Sequence, residues 1–182
     1  MKLTNVHLIP GHLAFLKNYR PNQTYLSLRT GYVQVLQTND SNILSVQDVD
    51  SIKSAFELLK MNTSQQICIL ITSSSMQLIL YDDMNEVLAA LLPKKYSTIR
   101  LRRSQLNFYY ESQSKNTGAY RFPSLIFREE KDSELKKYRV QQFAIFGNVL
   151  VFPSNEYDIF HFLKRLEIEH FQKRFVKVIH HD

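Results

Sequence analysis

The chain has 182 residues, 44% apolar and 22% charged, with 12 Phe, 10 Tyr, 4 Gly, 5 Pro and no Trp. That composition suits one folded domain spanning residues 1–182, and excludes collagen-like, Gly-rich and low-complexity chains. The formal net charge of +6 is unevenly placed: residues 94–182 carry 17 Lys and Arg against 10 Asp and Glu, leaving 6 and 7 to residues 1–93.

The opening Met1–Pro10 stretch holds no apolar core of signal-peptide length, and no window reaches the roughly 18 apolar residues of a spanning helix. A cytoplasmic location without membrane attachment is therefore expected. Tyr25–Leu28 and Tyr32–Gln37 are predicted strands turning around Arg29-Thr30-Gly31, and Ile43–Val46 is another. From Asp50 as N-cap, Ile52, Phe56 and Leu59 recur at helical spacing, predicting a helix to about Lys60. Gln66–Thr72 and Met76–Tyr81 form a predicted central hairpin around Ser73-Ser74-Ser75. The single cysteine, Cys68, lies in the first of these apolar runs and is expected to be a buried structural thiol. Asp82 or Asp83 then caps a helix from Met84 to Leu92, which Pro93 stops.

Tyr96–Arg102, Gln105–Tyr110 and Leu125–Phe127 are the next strand candidates, and Tyr138–Phe146 and Val149–Phe152 form a predicted hairpin about Gly147-Asn148. Ser154 is an expected N-cap for a C-terminal amphipathic helix with Ile159, Phe162, Leu163, Leu166 and His170 on one face. Phe160, Phe171 and Phe175 widen that apolar surface, which predicts a self-association surface. The predicted class is α+β, a mainly antiparallel sheet with helices that include the C-terminal one.

Five cations fall within Lys94–Arg103, and no acid occurs between Glu86 and Glu111. On a strand, the period of two places Tyr96, Thr98, Arg100 and Arg102 on one face, with Ile99 and Leu101 on the other. Guanidinium groups spaced in this way can meet backbone phosphates or enter a narrow A·T-rich minor groove. Gln105 and Asn107 share a face with Tyr109, and their amides can bond bases or phosphates. The candidate DNA-binding set is Lys94, Lys95, Arg100, Arg102, Arg103, Gln105 and Asn107, extended by Lys173 and Arg174. A solvated strand face over core aromatics is the plain alternative.

Two further constellations resemble catalytic or metal-binding sets. His180-His181-Asp182 lacks supporting ligand spacing, and is expected to be irregular and to bind no metal. Glu129-Glu130-Lys131 follows an apolar strand as in metal-dependent nucleases, but the acid expected before it is missing. No G-x-S-x-G motif is present. The expectation is a non-enzyme with no cofactor.

The order of features over residues 100–175 resembles the ComK competence transcription factors of Gram-positive bacteria. The parallels are Ser104-Gln105-Leu106-Asn107-Phe108, Ser112-Gln113-Ser114-Lys115-Asn116, Gly118-Ala119-Tyr120, Phe143 to Asn148, and Pro153-Ser154. The last helix adds Tyr157, Phe160, Arg165 and Phe171-Gln172-Lys173-Arg174. Tyr120 stands where that family has Trp, and Gly147-Asn148 reverses its Asn-Gly order. The resemblance implies an oligomeric activator of A·T-rich promoters of competence genes, controlled by an adaptor and protease. The expected function is therefore a DNA-binding transcriptional regulator. A plasmid- or phage-type protein-interaction module is the alternative, and a small metal-dependent nuclease the third reading.

Overall fold

The computed structural model describes residues 3–10, 20–29, 32–41, 44–60, 64–73, 75–101, 105–112, 123–131, 139–155 and 178–181. In chain order these form β1 (Thr4–Pro10), β2 (Thr24–Arg29), β3 (Tyr32–Thr38), β4 (Leu44–Val49), α1 (Ile52–Leu59), β5 (Gln66–Ile71) and β6 (Met76–Tyr81). They continue as α2 (Met84–Leu91), β7 (Tyr96–Leu101), β8 (Leu106–Glu111), β9 (Leu125–Lys131), β10 (Arg139–Ile145), β11 (Val149–Pro153) and β12 (Val178–His181). A nine-stranded sheet runs β4-β3-β2-β1-β6-β5-β11-β8-β7, and a three-stranded sheet runs β10-β9-β12. Pairing is antiparallel except for β1 with β2 and β12 with β9. The described residues form two mostly antiparallel sheets with two helices, an arrangement consistent with the expected class.

The predicted hairpin β5–β6 lies at the middle of the large sheet. Its strands are apolar on both faces because both faces are covered, which a half-solvated strand could not tolerate. On one side Ile67, Ile69, Ile71, Leu78 and Leu80 join Ala55 and Phe56 of α1, with Leu125 of β9 and Ile145 of β10. On the other, Cys68, Leu70, Ile79 and Tyr81 pack with Val87 and Leu88 of α2 and with Leu92. Each fully buried large side chain contributes about 1.5–3 kcal/mol, so both helices are fixed by two or three residues.

Local chemistry sets the helix ends. The N-cap of α1 is Ser51 rather than the expected Asp50: Ser51 Oγ accepts from the Ser54 amide at 3.1 Å. Asp50 braces that cap instead, its carboxylate accepting from Ser54 Oγ at 2.5 Å, a bond that also lowers its pKa. For α2 the cap is Asp83, which accepts from the Asn85 amide at 2.8 Å. At its other end Asn148 Nδ2 donates to the Leu91 carbonyl at 3.0 Å, satisfying one of the acceptors every helix terminus leaves over.

Two further expectations are corrected. First, Gly147-Asn148 does not close a hairpin: β10 pairs with β9, whereas β11 pairs with β5 and β8 in the other sheet. Val149, Leu150, Val151 and Phe152 are all buried, so β11 must lie between neighbours with both faces covered. β10 has no such run. Gly147, at φ 81°, makes the corner between sheets, and its carbonyl accepts from Ser124 Oγ. Second, His180 and His181 lie in β12, whose backbone pairs with Arg128 and Glu129 of β9. β1 has no counterpart among the expected strands, although buried Val6 and Leu8 alternate with Asn5 and His7 there. The C-terminal amphipathic helix, with Ile159, Phe162, Leu163, Leu166 and His170, lies outside the described residues; Ser154, its expected N-cap, donates Oγ to the Gln105 carbonyl at 3.1 Å.

Burial makes the core sensitive to alkali. It raises the Cys68 thiol above its ordinary 9.0, and Tyr81, Tyr109 and Tyr110 above 10.0. For groups raised in the folded state, the stabilising contribution is complete below the ordinary values and is lost as pH rises through the folded ones. The urea midpoint is therefore expected to fall between about pH 7.5 and about pH 10.5, with Tyr81→Phe reducing that fall. A midpoint that stays constant over this range contradicts the burial of these groups.

Candidate functional site

β7 closes one side of the large sheet, and among the described residues it pairs only with β8. Its sequence alternates as the period of two requires. Tyr96, Thr98 and Arg100 are exposed, while Ser97 and Ile99 are half-buried, Ile99 against the core shared with α1. Lys94 and Lys95 stand exposed between Pro93 and the strand. Their turn is pinned where the Ser112 amide donates to the Lys95 carbonyl at 2.9 Å.

Strand register brings part of the predicted set together. Asn107 on β8 lies directly between Arg100 of β7 and Phe152 of β11. Arg100 Nη2 donates to Gln105 Oε1 at 3.5 Å, a long bond that occupies one of five guanidinium donors. Gln105 is not a strand residue as expected. It occupies the turn before β8 with φ 54°, in the left-handed region that disfavours a side chain bearing Cβ. The Ser154 amide, at 3.0 Å, and the Ser154 hydroxyl both donate to its carbonyl and hold it there. Gln105 is exposed beside Arg100, so the correction changes its backbone but not its neighbourhood. Arg102, Arg103, Lys173 and Arg174 lie outside the described residues, as do Phe160, Phe171 and Phe175.

A row of rings on the same face was not legible in the sequence. Tyr96 lies 5.6 Å from Tyr109, tilted at 57°. Tyr109 meets Phe152 edge-on at 5.2 Å, and Phe152 meets Tyr81 edge-on at 5.6 Å. The row runs from the β7 edge into the core beneath α2, and Tyr81 Oη donates to Gln66 Oε1 at 3.1 Å. Burial, and then the neighbouring Tyr96, raises the Tyr109 hydroxyl pKa, so this ring is neutral at physiological pH. Glu111, directly across from Tyr96, is an acid on this face, between Lys94–Lys95 and Arg100 among the described residues.

Among the described residues, no group of three or more His, Cys, Asp or Glu could hold a metal ion. Nor is any helix there long and apolar enough to cross a membrane. No protein-family model, curated protein or solved structure matches this chain.

Proposed function

We propose that this chain is a non-enzymatic DNA-binding transcriptional regulator that engages A·T-rich duplexes through the cationic edge of the large sheet. The observation that carries the reading is the exposure of Arg100 on an edge strand, with Lys94 and Lys95 exposed at its start and Gln105 and Asn107 beside it. Exposed cations on such a strand can meet phosphates, and the amides add contacts that tolerate either polarity of partner. Arg102, Arg103, Lys173 and Arg174 extend the basic surface in this reading. Self-association through Phe160, Phe171 and Phe175, and control by an adaptor and protease, rest on the sequence and its resemblance to ComK.

Gel shifts on A·T-rich and G·C-rich duplexes over a salt series test the proposal. Binding is expected to favour the A·T-rich duplex and to weaken steadily with salt, because phosphate neutralisation releases counterions. Undetectable binding at low salt, or affinity indifferent to salt, refutes it. Such a result would favour the protein-interaction reading, for which β4 supplies an observation. Among the described residues β4 is the opposite edge strand, Val46 on it is exposed, and Leu44–Val49 has neither Lys nor Pro to discourage strand addition. Cleavage of the duplex on adding a divalent cation would favour the nuclease reading.

A further inference from the structure

The row of rings ends in a side chain that the duplex reading leaves unused. Tyr96 is 42% exposed, one of three large apolar side chains so exposed among the described residues, and the others, Val46 and Leu58, are aliphatic. Its ring rests against that of Tyr109, 5.6 Å away. Tyr109 holds one flank, Phe152 holds Tyr109, and Tyr81 holds Phe152, so an exposed ring at the sheet edge is braced by contacts that end in the core. A ring fixed before binding loses little side-chain freedom on contact, which favours its use as a stacking surface.

The cations along the strand match a polyanion, with Glu111 the one acid directly across from the ring. Lys94 and Lys95 precede Tyr96, and Arg100 follows on the same face about 13 Å along the strand. A base laid on the ring would therefore have its flanking phosphates between cations at both ends. In an intact duplex both faces of every base are already stacked on neighbours, and only an unpaired base offers a face to Tyr96. A·T-rich sequence favours this state, because its pyrimidine–purine steps unstack most readily.

We infer that Tyr96 is a stacking platform for an unpaired base, and that the β7 edge binds single-stranded A·T-rich DNA in preference to the paired form. This deepens the DNA-binding reading above and rests on it. Lys94, Lys95 and Arg100 supply attraction to any DNA, while Tyr96 selects the open strand.

The test uses the full chain and one A·T-rich sequence in three forms: a single strand of about 16 nucleotides, the intact duplex, and the duplex with a central unpaired bubble. The single strand and the bubble bind more tightly than the duplex. Tyr96→Ala weakens both by roughly 5- to 150-fold, the range for losing one base–aromatic stack. Tyr96→Phe, which keeps the ring, retains the affinity, and neither variant changes duplex binding. Because the chain has no Trp, Tyr96→Trp places its sole tryptophan at the site, and its emission is quenched on adding the single strand. Duplex binding equal to bubble binding, with Tyr96→Ala neutral and the Tyr96→Trp emission unchanged at saturation, overturns the inference and leaves the duplex-binding reading standing. If no form of DNA binds, both fall.

Discussion

Phe108→Ala is expected to destabilise the protein by about 3–5 kcal/mol, the usual range for deleting a buried phenyl ring. Phe108 is fully buried on β8, opposite Ile99 of β7 and Val151 of β11. It belongs to the core cluster that also takes Leu125 and Ile145 from the small sheet. A loss of that size is a large share of the roughly 5–15 kcal/mol by which domains are stable. It should lower the melting temperature by roughly 6–20 °C in a chain of this length. Thr98→Ala, on the exposed face of the neighbouring strand, should remain within about 0.5 kcal/mol. Urea denaturation of the two variants checks both values. A cost under about 1 kcal/mol for Phe108→Ala would mean that β8 does not bury the face assigned to it.

The same alternation explains which parts of the fold could be read from the residues. Gln66–Ile71 and Met76–Tyr81 were legible because central strands covered on both faces need mostly apolar runs of strand length. The exposed face of β7 was legible because Tyr96, Thr98 and Arg100 alternate with Ser97 and Ile99. β1 carries the same alternation, with Val6 and Leu8 buried and Asn5 exposed, but over a short run that ends in Pro10. Its partners, β2 in parallel and β6 across the sheet, are set by non-local pairing. The link at Gly147-Asn148 carries turn chemistry that suits a hairpin and a corner equally, and burial of Val149–Phe152 decides between them. Within the site, the cations were legible from local density. The ring row was not, because Tyr81, Tyr96, Tyr109 and Phe152 meet only once the strand order β6-β5-β11-β8-β7 is known. Gln105 was misplaced because no residue-type signal announces a left-handed Gln.

The second large effect concerns binding rather than stability. Lys94→Ala/Lys95→Ala/Arg100→Ala removes the exposed cations of the edge strand while leaving the core untouched, since all three side chains are exposed. The variant is expected to fold with the wild-type urea midpoint and to bind A·T-rich DNA weakly. Loss of net charge alone could produce that result. A companion, Arg20→Ala/Lys53→Ala/Lys60→Ala, separates the two causes, because each triple lowers the formal charge from +6 by three. Arg20 precedes β2, and Lys53 and Lys60 belong to α1 and its C-cap, remote in strand order from β7.

The most direct measurement is the slope of log affinity against log salt for the wild type and both triple variants on one A·T-rich duplex. Each phosphate neutralised on duplex DNA contributes about −0.9 to that slope. Losing three contacts at the β7 edge should make the slope shallower by about 2.7 for the Lys94/Lys95/Arg100 variant. The companion of equal charge should keep the wild-type slope. Equal slopes in all three proteins, or the same shallow slope in both variants, would contradict a DNA interface at this edge.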